Sequence, residues 1–368
     1  MNTSRFYRNN IVQFSFIDLP IFLLLFNFIL YSVFNVDDFK NILRIISISL
    51  FICGWIINGE YKFTIGQLFI IFLSTILFLF QGTSALNFLA VVIFAFCTKI
   101  DLNILIKNIF RINMFFVLLI LICLYSGVIS NITYIDTVGR TRNTMGFLNP
   151  NAGALFFSSI IYLYILSRSR IRIMDYVLAL VGNILIFKFS DSRTSFFALN
   201  FFLLIIPIFN ILINKTIVKK GICVFNDLLW LIGIIGLFIL NIFSDFDIVL
   251  SNRISNYMQF VDQAGTWGTI IGGGELPQIT IDNFYIMFLY QNGIFIYLFS
   301  MYLVHKSTCF LTYRKEIRLL AFTTAMFLMG MTESSFLRPE IPITLILWKI
   351  LFNSISIEKN INNHKINS

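Results

Sequence analysis

The chain has 368 residues, of which 58% are hydrophobic and only 12% are charged. Soluble domains have roughly 45–50% apolar and about 25% charged residues, so this composition excludes water as the main solvent. The apolar residues instead form blocks long enough to cross ~30 Å of hydrocarbon, with short polar gaps between them. The composition therefore predicts an all-α, polytopic integral membrane protein.

Twelve apolar blocks follow one another along the chain. They predict transmembrane helices near 14–34, 41–57, 64–80, 84–98, 112–130, 151–166, 173–190, 195–213, 227–243, 283–304, 318–332 and 341–356. The block at 84–98 is short for a full crossing, so the number of crossings needs an independent check.

The positions of the basic residues provide that check, because Lys and Arg are retained on the cytoplasmic side of short loops. With the amino terminus inside, the inner gaps hold 18 of the 27 Lys and Arg residues. Removing one crossing would place Arg168, Arg170 and Arg172 outside. We therefore expect about 12 transmembrane helices in a single domain over 1–368, with both termini cytoplasmic and a long extracytoplasmic loop, 244–282, before helix 10. Topology thus explains the net charge of +9 without a nucleic-acid partner.

The first polar outer segment reads TVGRTRNTMGFLNPNAGALFF over 137–157. Arg140 and Arg142 precede Asn149, Pro150 and Asn151 at the start of a predicted helix. A polar loop with a helix cap is one interpretation, since Asn caps helices and Pro favours their first turn. Two arginines beside a helix amino terminus also form an anion site, and this is the functional interpretation.

The second outer segment places Asp191 and Arg193 between two predicted helices. The two charges can simply neutralise one another at a helix junction. A guanidinium at the bilayer midplane costs about 2.5–3.5 kcal/mol on insertion scales, so a retained Arg usually faces a cavity or an anion. In that case the Asp191 carboxylate could orient Arg193.

The long third segment carries Arg253 and Tyr257, whose spacing also fits an amphipathic helix lying on the membrane surface. The fourth segment carries Glu333, Arg338 and Glu340. Arg338 and Glu340 can form a surface pair of little energetic value. Glu333 lies at the end of an apolar helix, where the pKa of a carboxyl group can be raised, and this suits a general base.

Metal and imidazole chemistry are not indicated on the outer side. The two histidines, His305 and His364, fall in predicted cytoplasmic regions, and Asp245 and Asp247 have no neighbouring ligands. The five cysteines show no paired or metal-ligand spacing, so we interpret them as small apolar residues.

Arginines from four outer segments suit a ligand with several negative charges, such as a lipid-linked pyrophosphate. In a sugar transfer from such a lipid, a base can accept the proton of the acceptor hydroxyl, and the departing pyrophosphate must be stabilised. Arginine can stabilise the leaving group without a metal.

Three motifs occur in order on the predicted outer side: R-x-R-x-x-x-G-F-x-N-P-N at 140–151, S-R-T at 192–194, and G-x-G…I-D-N-x-Y…G-I at 272–294. In these motifs and in its predicted topology the chain resembles the Wzy-type polymerases of bacterial surface polysaccharides, which are related to O-antigen ligases.

The resemblance implies transfer of a glycan from undecaprenyl pyrophosphate to a lipid-linked oligosaccharide repeat unit. The reaction would invert the anomeric centre, use no metal or cofactor, and occur on the outer face of the bacterial plasma membrane. The implied partners are undecaprenyl-pyrophosphate-linked oligosaccharides, membrane lipid and, as an open question, other polysaccharide-export proteins. The candidate residues for binding pyrophosphate or glycan are Arg140, Arg142, Asn149, Asn151, Arg193, Arg253, Tyr257, Asp282, Asn283, Tyr285 and Arg338.

The base is left open by the resemblance. Glu333 is the first candidate, with Asp191 and Glu275 behind it, and a reaction without an enzymic base is a further alternative. Ligases of the related branch use a histidine in their large outer loop, and this sequence has none there, which favours a polymerase over a ligase-like transferase. A flippase or transporter of lipid-linked oligosaccharide is the alternative of another class, since twelve crossings also suit transporters.

Overall fold

The computed structural model describes residues 16–57, 63–82, 85–135, 139–240, 255–260, 263, 272 and 281–353. This part of the chain is mostly α-helical, and each predicted apolar block contains a helix. The helices are α1 Asp18–Val33, α2 Lys40–Ile57, α3 Ile65–Gln81, α4 Leu86–Cys97, α5 Leu102–Tyr125, α6 Pro150–Ser167, α7 Ile173–Ser190, α8 Arg193–Leu212, α9 Thr216–Leu240, α10 Phe284–Arg314, α11 Ile317–Gly330 and α12 Pro342–Asn353.

Six of these helices, α2, α5, α6, α7, α8 and α10, are long and apolar enough to cross a membrane, and α1, α3, α4, α11 and α12 are shorter apolar helices. Many of their large apolar side chains face outward, as expected for surfaces in contact with lipid. The prediction of a helical, multi-pass membrane protein is therefore confirmed. Twelve crossings and the orientation of the termini stay predictions.

Several helices extend beyond the apolar blocks that predicted them. Helix α5 begins at Leu102 because the Asp101 side chain accepts hydrogen bonds from the backbone N–H groups of Asn103 (2.9 Å) and Ile104 (3.4 Å). Helix α9 begins at Thr216 and α10 continues to Arg314. Hydropathy marks only the apolar part of a helix, so polar turns at its ends are not predicted.

A small antiparallel hairpin was not predicted. Its strands are β1, Thr133–Ile135, and β2, Thr141–Asn143, with Tyr134 opposite Arg142. Three-residue strands are too short to show the alternation of apolar and polar residues that predicts a strand from sequence. Strand β2 belongs to the first polar segment, and its pairing with β1 places Arg142.

The centre of the bundle is aromatic. Trp230 of α9 packs edge-on against Tyr285 and Phe288 of α10, and the Tyr297 hydroxyl donates to the Trp230 carbonyl at 2.8 Å. Helix α10 kinks at Gly293, which has a φ of 77°.

Gly272, from the long segment that precedes α10, approaches this kink closely. It has a φ of 80°, and a Cβ there would lie 2.6 Å from the backbone of both Asn292 and Gly293. Only glycine permits this conformation and this approach. Of the three consecutive glycines at 272–274, Gly272 is the one that the structure describes.

Candidate functional site

A polar cavity of about 240 Å³ is lined by the end of α1, the start of α6 and the segment between α11 and α12. Five of the predicted site residues line this polar cavity: Asn149, Asn151, Asp282, Glu333 and Arg338. Tyr31, Ser32, Leu148, Ala152, Ser334 and Ser335 complete the lining.

The start of α6 presents two amide side chains to the polar cavity. Asn149 caps the helix, because its Oδ1 accepts a hydrogen bond from the Asn151 N–H at 2.8 Å, and Pro150 occupies the first helical position. The preceding Leu148 N–H donates to the Ser32 carbonyl at 2.7 Å. The predicted cap is confirmed, and it fixes this turn against α1.

Arg142 joins the end of α7 to the start of α6. Its Nε donates to the Ser190 carbonyl at 3.0 Å, and its terminal N–H donates to Asn151 Oδ1 at 2.5 Å. The guanidinium is half-buried in this arrangement. Arg142 therefore orients the Asn151 amide, which itself lines the polar cavity.

Asp191 pairs with Arg140, at 3.7 Å between Oδ2 and the guanidinium, with both side chains 29% exposed. Asp191 has a left-handed backbone, with a φ of 46°, and ends α7. Arg193 begins α8 and is exposed, and it makes no hydrogen bond or ion pair with any residue that the structure describes. The structure thus pairs the Asp191 carboxylate with Arg140 and leaves the Arg193 guanidinium available.

Glu333 lies in the segment after α11, where its Oε1 accepts a hydrogen bond from the Ser335 hydroxyl. Burial raises the pKa of Glu333, and the Asp282 carboxylate raises it further, while Ser335 and Arg338 act in the opposite direction. The net effect is a pKa above the usual glutamate range, which brings the carboxyl group closer to the value suited to a general base.

A short 3₁₀ turn, Ser335–Leu337, holds this segment in place. The Phe336 ring packs edge-on against Phe284 at 5.6 Å between centroids, and the Phe336 carbonyl accepts a hydrogen bond from the Trp348 indole N–H at 2.8 Å. These contacts anchor the turn to α10 and α12, so that Glu333 and Arg338 on either side of it both reach the polar cavity.

Arg338 stays charged because of its neighbours. Burial acts to lower its pKa, but Tyr31, Glu333 and Glu340 act to raise it, and the net pKa is above the ordinary arginine value. Arg338 is therefore a permanent cation in the polar cavity.

Glu340 belongs to a different cluster, which the sequence did not reveal. It is fully buried, and its Oε1 accepts hydrogen bonds from Arg44 Nε of α2 and, at 3.4 Å, from the Asn27 amide of α1. The interpretation of Arg338 and Glu340 as an exposed surface pair is wrong, because Glu340 is enclosed with Arg44. No signal in the sequence links Arg44 to a residue almost three hundred positions away.

Three predicted residues contribute packing or capping in the structure and do not line the polar cavity. Asn283 caps α10 and donates to the Met331 carbonyl at 3.3 Å. Tyr285 is fully buried, and its hydroxyl donates to the Phe327 carbonyl at 2.5 Å. Tyr257 is buried in a small cluster that also contains Phe260, Ile281, Ile286 and Tyr290.

Arg253 and Glu275 lie outside the described residues. Within the part of the chain that is described, no group of three or more His, Cys, Asp or Glu side chains is placed to hold a metal ion. The comparisons with known proteins give no match: no family model, curated protein or solved structure matches the chain.

Proposed function

We propose that the protein is a polymerase of a bacterial surface polysaccharide, which transfers a glycan from undecaprenyl pyrophosphate to a lipid-linked oligosaccharide repeat unit on the extracytoplasmic face. One observation carries the proposal. Residues predicted for this chemistry from three segments far apart in sequence, Asn149 and Asn151, Asp282, and Glu333 with Arg338, line one polar cavity. The motifs that resemble those of the Wzy-type polymerases also contain Arg142, which orients Asn151, and Arg193.

The polar cavity suits the acceptor sugar better than it suits the pyrophosphate. Its charged lining consists of two carboxyl groups, Asp282 and Glu333, and one cation, Arg338. Carboxylates accept hydrogen bonds from sugar hydroxyls and repel phosphate, while amides such as those of Asn149 and Asn151 can both donate to and accept from a hydroxyl. We assign the acceptor sugar to the polar cavity on this basis.

The pyrophosphate requires cations that are not already neutralised. Arg193 meets this requirement, since it is exposed and unpaired within the described structure and begins α8, whose first backbone N–H groups favour an anion. Arg338 can stabilise the leaving group from the side of the polar cavity. Forked guanidinium donors match phosphate oxygens well and require no metal.

The reaction that follows uses Glu333 as the base. Its carboxylate accepts the proton of the acceptor hydroxyl while the hydroxyl oxygen attacks the anomeric carbon of the donor glycan. The new glycosidic bond forms as the bond to the pyrophosphate oxygen breaks on the opposite face, which inverts the anomeric centre. The negative charge that develops on the pyrophosphate is stabilised by Arg193 and Arg338, and Glu333 then releases its proton to water.

The test is reconstitution of the purified protein in lipid with a synthetic undecaprenyl-pyrophosphate-linked repeat unit. We expect a ladder of longer glycans that is lost in Arg193→Ala and retained in Arg170→Ala, a matched variant of another exposed arginine, which lies just before α7 and so at the end of that helix away from Asp191. An identical ladder in both variants would contradict the assignment of Arg193. Movement of labelled lipid across the bilayer without any chain growth would favour a flippase.

A further inference from the structure

Two cysteines meet at the end of α9 and α10 that lies away from the polar cavity. Cys223 lies in the second turn of α9 and Cys309 near the end of α10, and their Sγ atoms are 3.1 Å apart. Cys223 is buried, at 7% exposed, while Cys309 is partly exposed. The two positions are 86 residues apart, so no spacing rule predicts that their thiols meet.

A histidine and an aspartate adjoin the two thiols. His305 precedes Cys309 by one helical turn, and its Nε2 lies 3.7 Å from the Cys309 Sγ. The other ring nitrogen, Nδ1, lies 2.7 Å from Asp227 Oδ2, and Asp227 follows Cys223 by one turn of α9. Each helix thus supplies two residues four positions apart, which lie on one helix face and meet the pair from the other helix.

The four side chains are arranged in the order Asp227, His305, Cys309 and Cys223. Asp227 accepts a hydrogen bond at His305 Nδ1, which leaves Nε2 as the basic nitrogen facing Cys309. The His305 side chain is 51% exposed, so it is not enclosed by the described part of the protein. Cys223 lies behind Cys309, enclosed between α9 and α10.

We propose that Cys223 and Cys309 form an oxidisable dithiol, which a peroxide converts to a disulfide between α9 and α10, with His305 as the base and Asp227 as its positioning residue. The site is separate from the proposed sugar transfer and does not depend on it.

The chemistry balances with one peroxide molecule. His305 accepts the Cys309 thiol proton, and the thiolate attacks a peroxide oxygen, which breaks the O–O bond and gives a sulfenic acid and, after protonation, one water. The Cys223 sulfur then attacks the sulfenic sulfur, and its proton leaves with the hydroxyl group as a second water. Two thiols lose two electrons in total, and hydrogen peroxide gains them.

The disulfide would join the two helices that flank the long segment 241–283. Its position is roughly 38 Å along α10 from Phe284, at 1.5 Å per helical residue. The covalent bond would therefore constrain α9 and α10 at one end, while the segment that connects them emerges at the other. Oxidation would therefore restrict the relative motion of α9 and α10.

The test uses the intact protein, purified in lipid, and counts its free thiols by mass spectrometry after treatment with hydrogen peroxide and alkylation. We expect two of the five thiols to be lost together and a peptide pair linked through Cys223 and Cys309. Cys123, a partly exposed cysteine that contacts no second thiol in the described structure, is the internal control and should stay alkylated. Neither Cys223→Ser nor Cys309→Ser should yield the linked peptide.

The role of His305 has its own readout. In His305→Asn the rate of disulfide formation near pH 7 should fall at least about 10²-fold, while a strong thiol oxidant such as diamide should still give the full linked product. If peroxide leaves both thiols free, or if Cys123 is oxidised as fast as Cys309, the proposal is wrong. Equal rates of disulfide formation with peroxide in the parent protein and in His305→Asn would show that His305 is not the base.

Discussion

Glu333 and Glu340 lie seven residues apart in the same segment, yet the structure gives them opposite surroundings. Glu340 is fully enclosed, and donors from α1 and α2 satisfy its Oε1. Among the described residues, Glu333 accepts a hydrogen bond only from Ser335, two residues away, and it lines the polar cavity together with Arg338. Because its partners come from distant helices, the Glu340 carboxylate has a structural role. The Glu333 carboxylate has a local partner and stays available to a ligand.

The comparison shows why an acidic residue at a helix end cannot be assigned a role from its position alone. A charge buried with an opposite charge holds elements together only while both members are present, because either one alone keeps its full desolvation cost. Where burial outweighs the effect of a nearby cation, as at Glu333 beside Arg338, the carboxyl group instead has a raised pKa and can exchange a proton. Four predictions test this division.

The largest effect is expected for Arg44→Ala. This change leaves Glu340 buried without its cation and should lower the free energy of unfolding by about 3–5 kcal/mol. Thermal unfolding in detergent measures the effect. The double variant Arg44→Met with Glu340→Leu should recover most of the loss, because an apolar pair carries no uncompensated charge. A single variant as stable as the parent protein would show that the pair is not structural.

Glu333→Gln should leave the fold intact and remove the base. We expect the rate of chain growth to fall by about 10²–10⁴-fold, the usual contribution of general base catalysis. The unfolding temperature should not fall below that of the parent protein, because the amide can still accept the Ser335 hydrogen bond. If growth continues at the normal rate, the reaction uses another base or none.

The raised pKa of Glu333 predicts a pH dependence. Chain growth should fall about tenfold for each pH unit below that pKa, because only the ionised carboxylate accepts a proton. The folded protein binds this proton more tightly than the unfolded chain does. The contribution of Glu333 to stability is therefore present at low pH and lost as the pH rises from the ordinary glutamate range through the raised pKa.

A series of unfolding measurements on the parent protein and Glu333→Gln isolates this contribution, since glutamine cannot titrate. Their difference in stability should grow in favour of Glu333→Gln as the pH rises through that interval. A difference that is constant with pH would mean that the Glu333 carboxyl group has an ordinary pKa.

The smallest effect on stability is expected for Arg140→Ala. Its pair with Asp191 is 3.7 Å long and partly exposed on both sides, so the loss should be below about 1 kcal/mol. High salt should weaken the pair in the parent protein to a similar extent. A loss comparable to that of Arg44→Ala would place Arg140 with the structural charges.

The sequence predicted those parts of the fold that depend on local composition. Apolar blocks marked every described helix, and the Asn-Pro-Asn stretch marked the cap at Asn149. Helix ends with polar turns, such as the start of α9 at Thr216, were missed because hydropathy does not register them. The hairpin was missed because its strands are too short to show a pattern.

The candidate site was predicted as a set of residues but not as a set of contacts. Five of the predicted residues do line one cavity. Pairings between distant segments, such as Arg142 with Asn151 and Ser190 or Arg44 with Glu340, depend on how helices pack and leave no trace in a single sequence. The contact between Cys223 and Cys309 has the same origin.

The most direct test of the central claim is photolabelling with a lipid-linked repeat unit that carries a photoreactive group on its acceptor sugar. The labelled peptides of the reconstituted protein are identified by mass spectrometry. We predict labels within 148–152 and 333–338, at the polar cavity, and loss of these labels when unlabelled repeat unit is added in excess. Specific labelling confined to other helices would contradict the assignment of the acceptor sugar to this cavity.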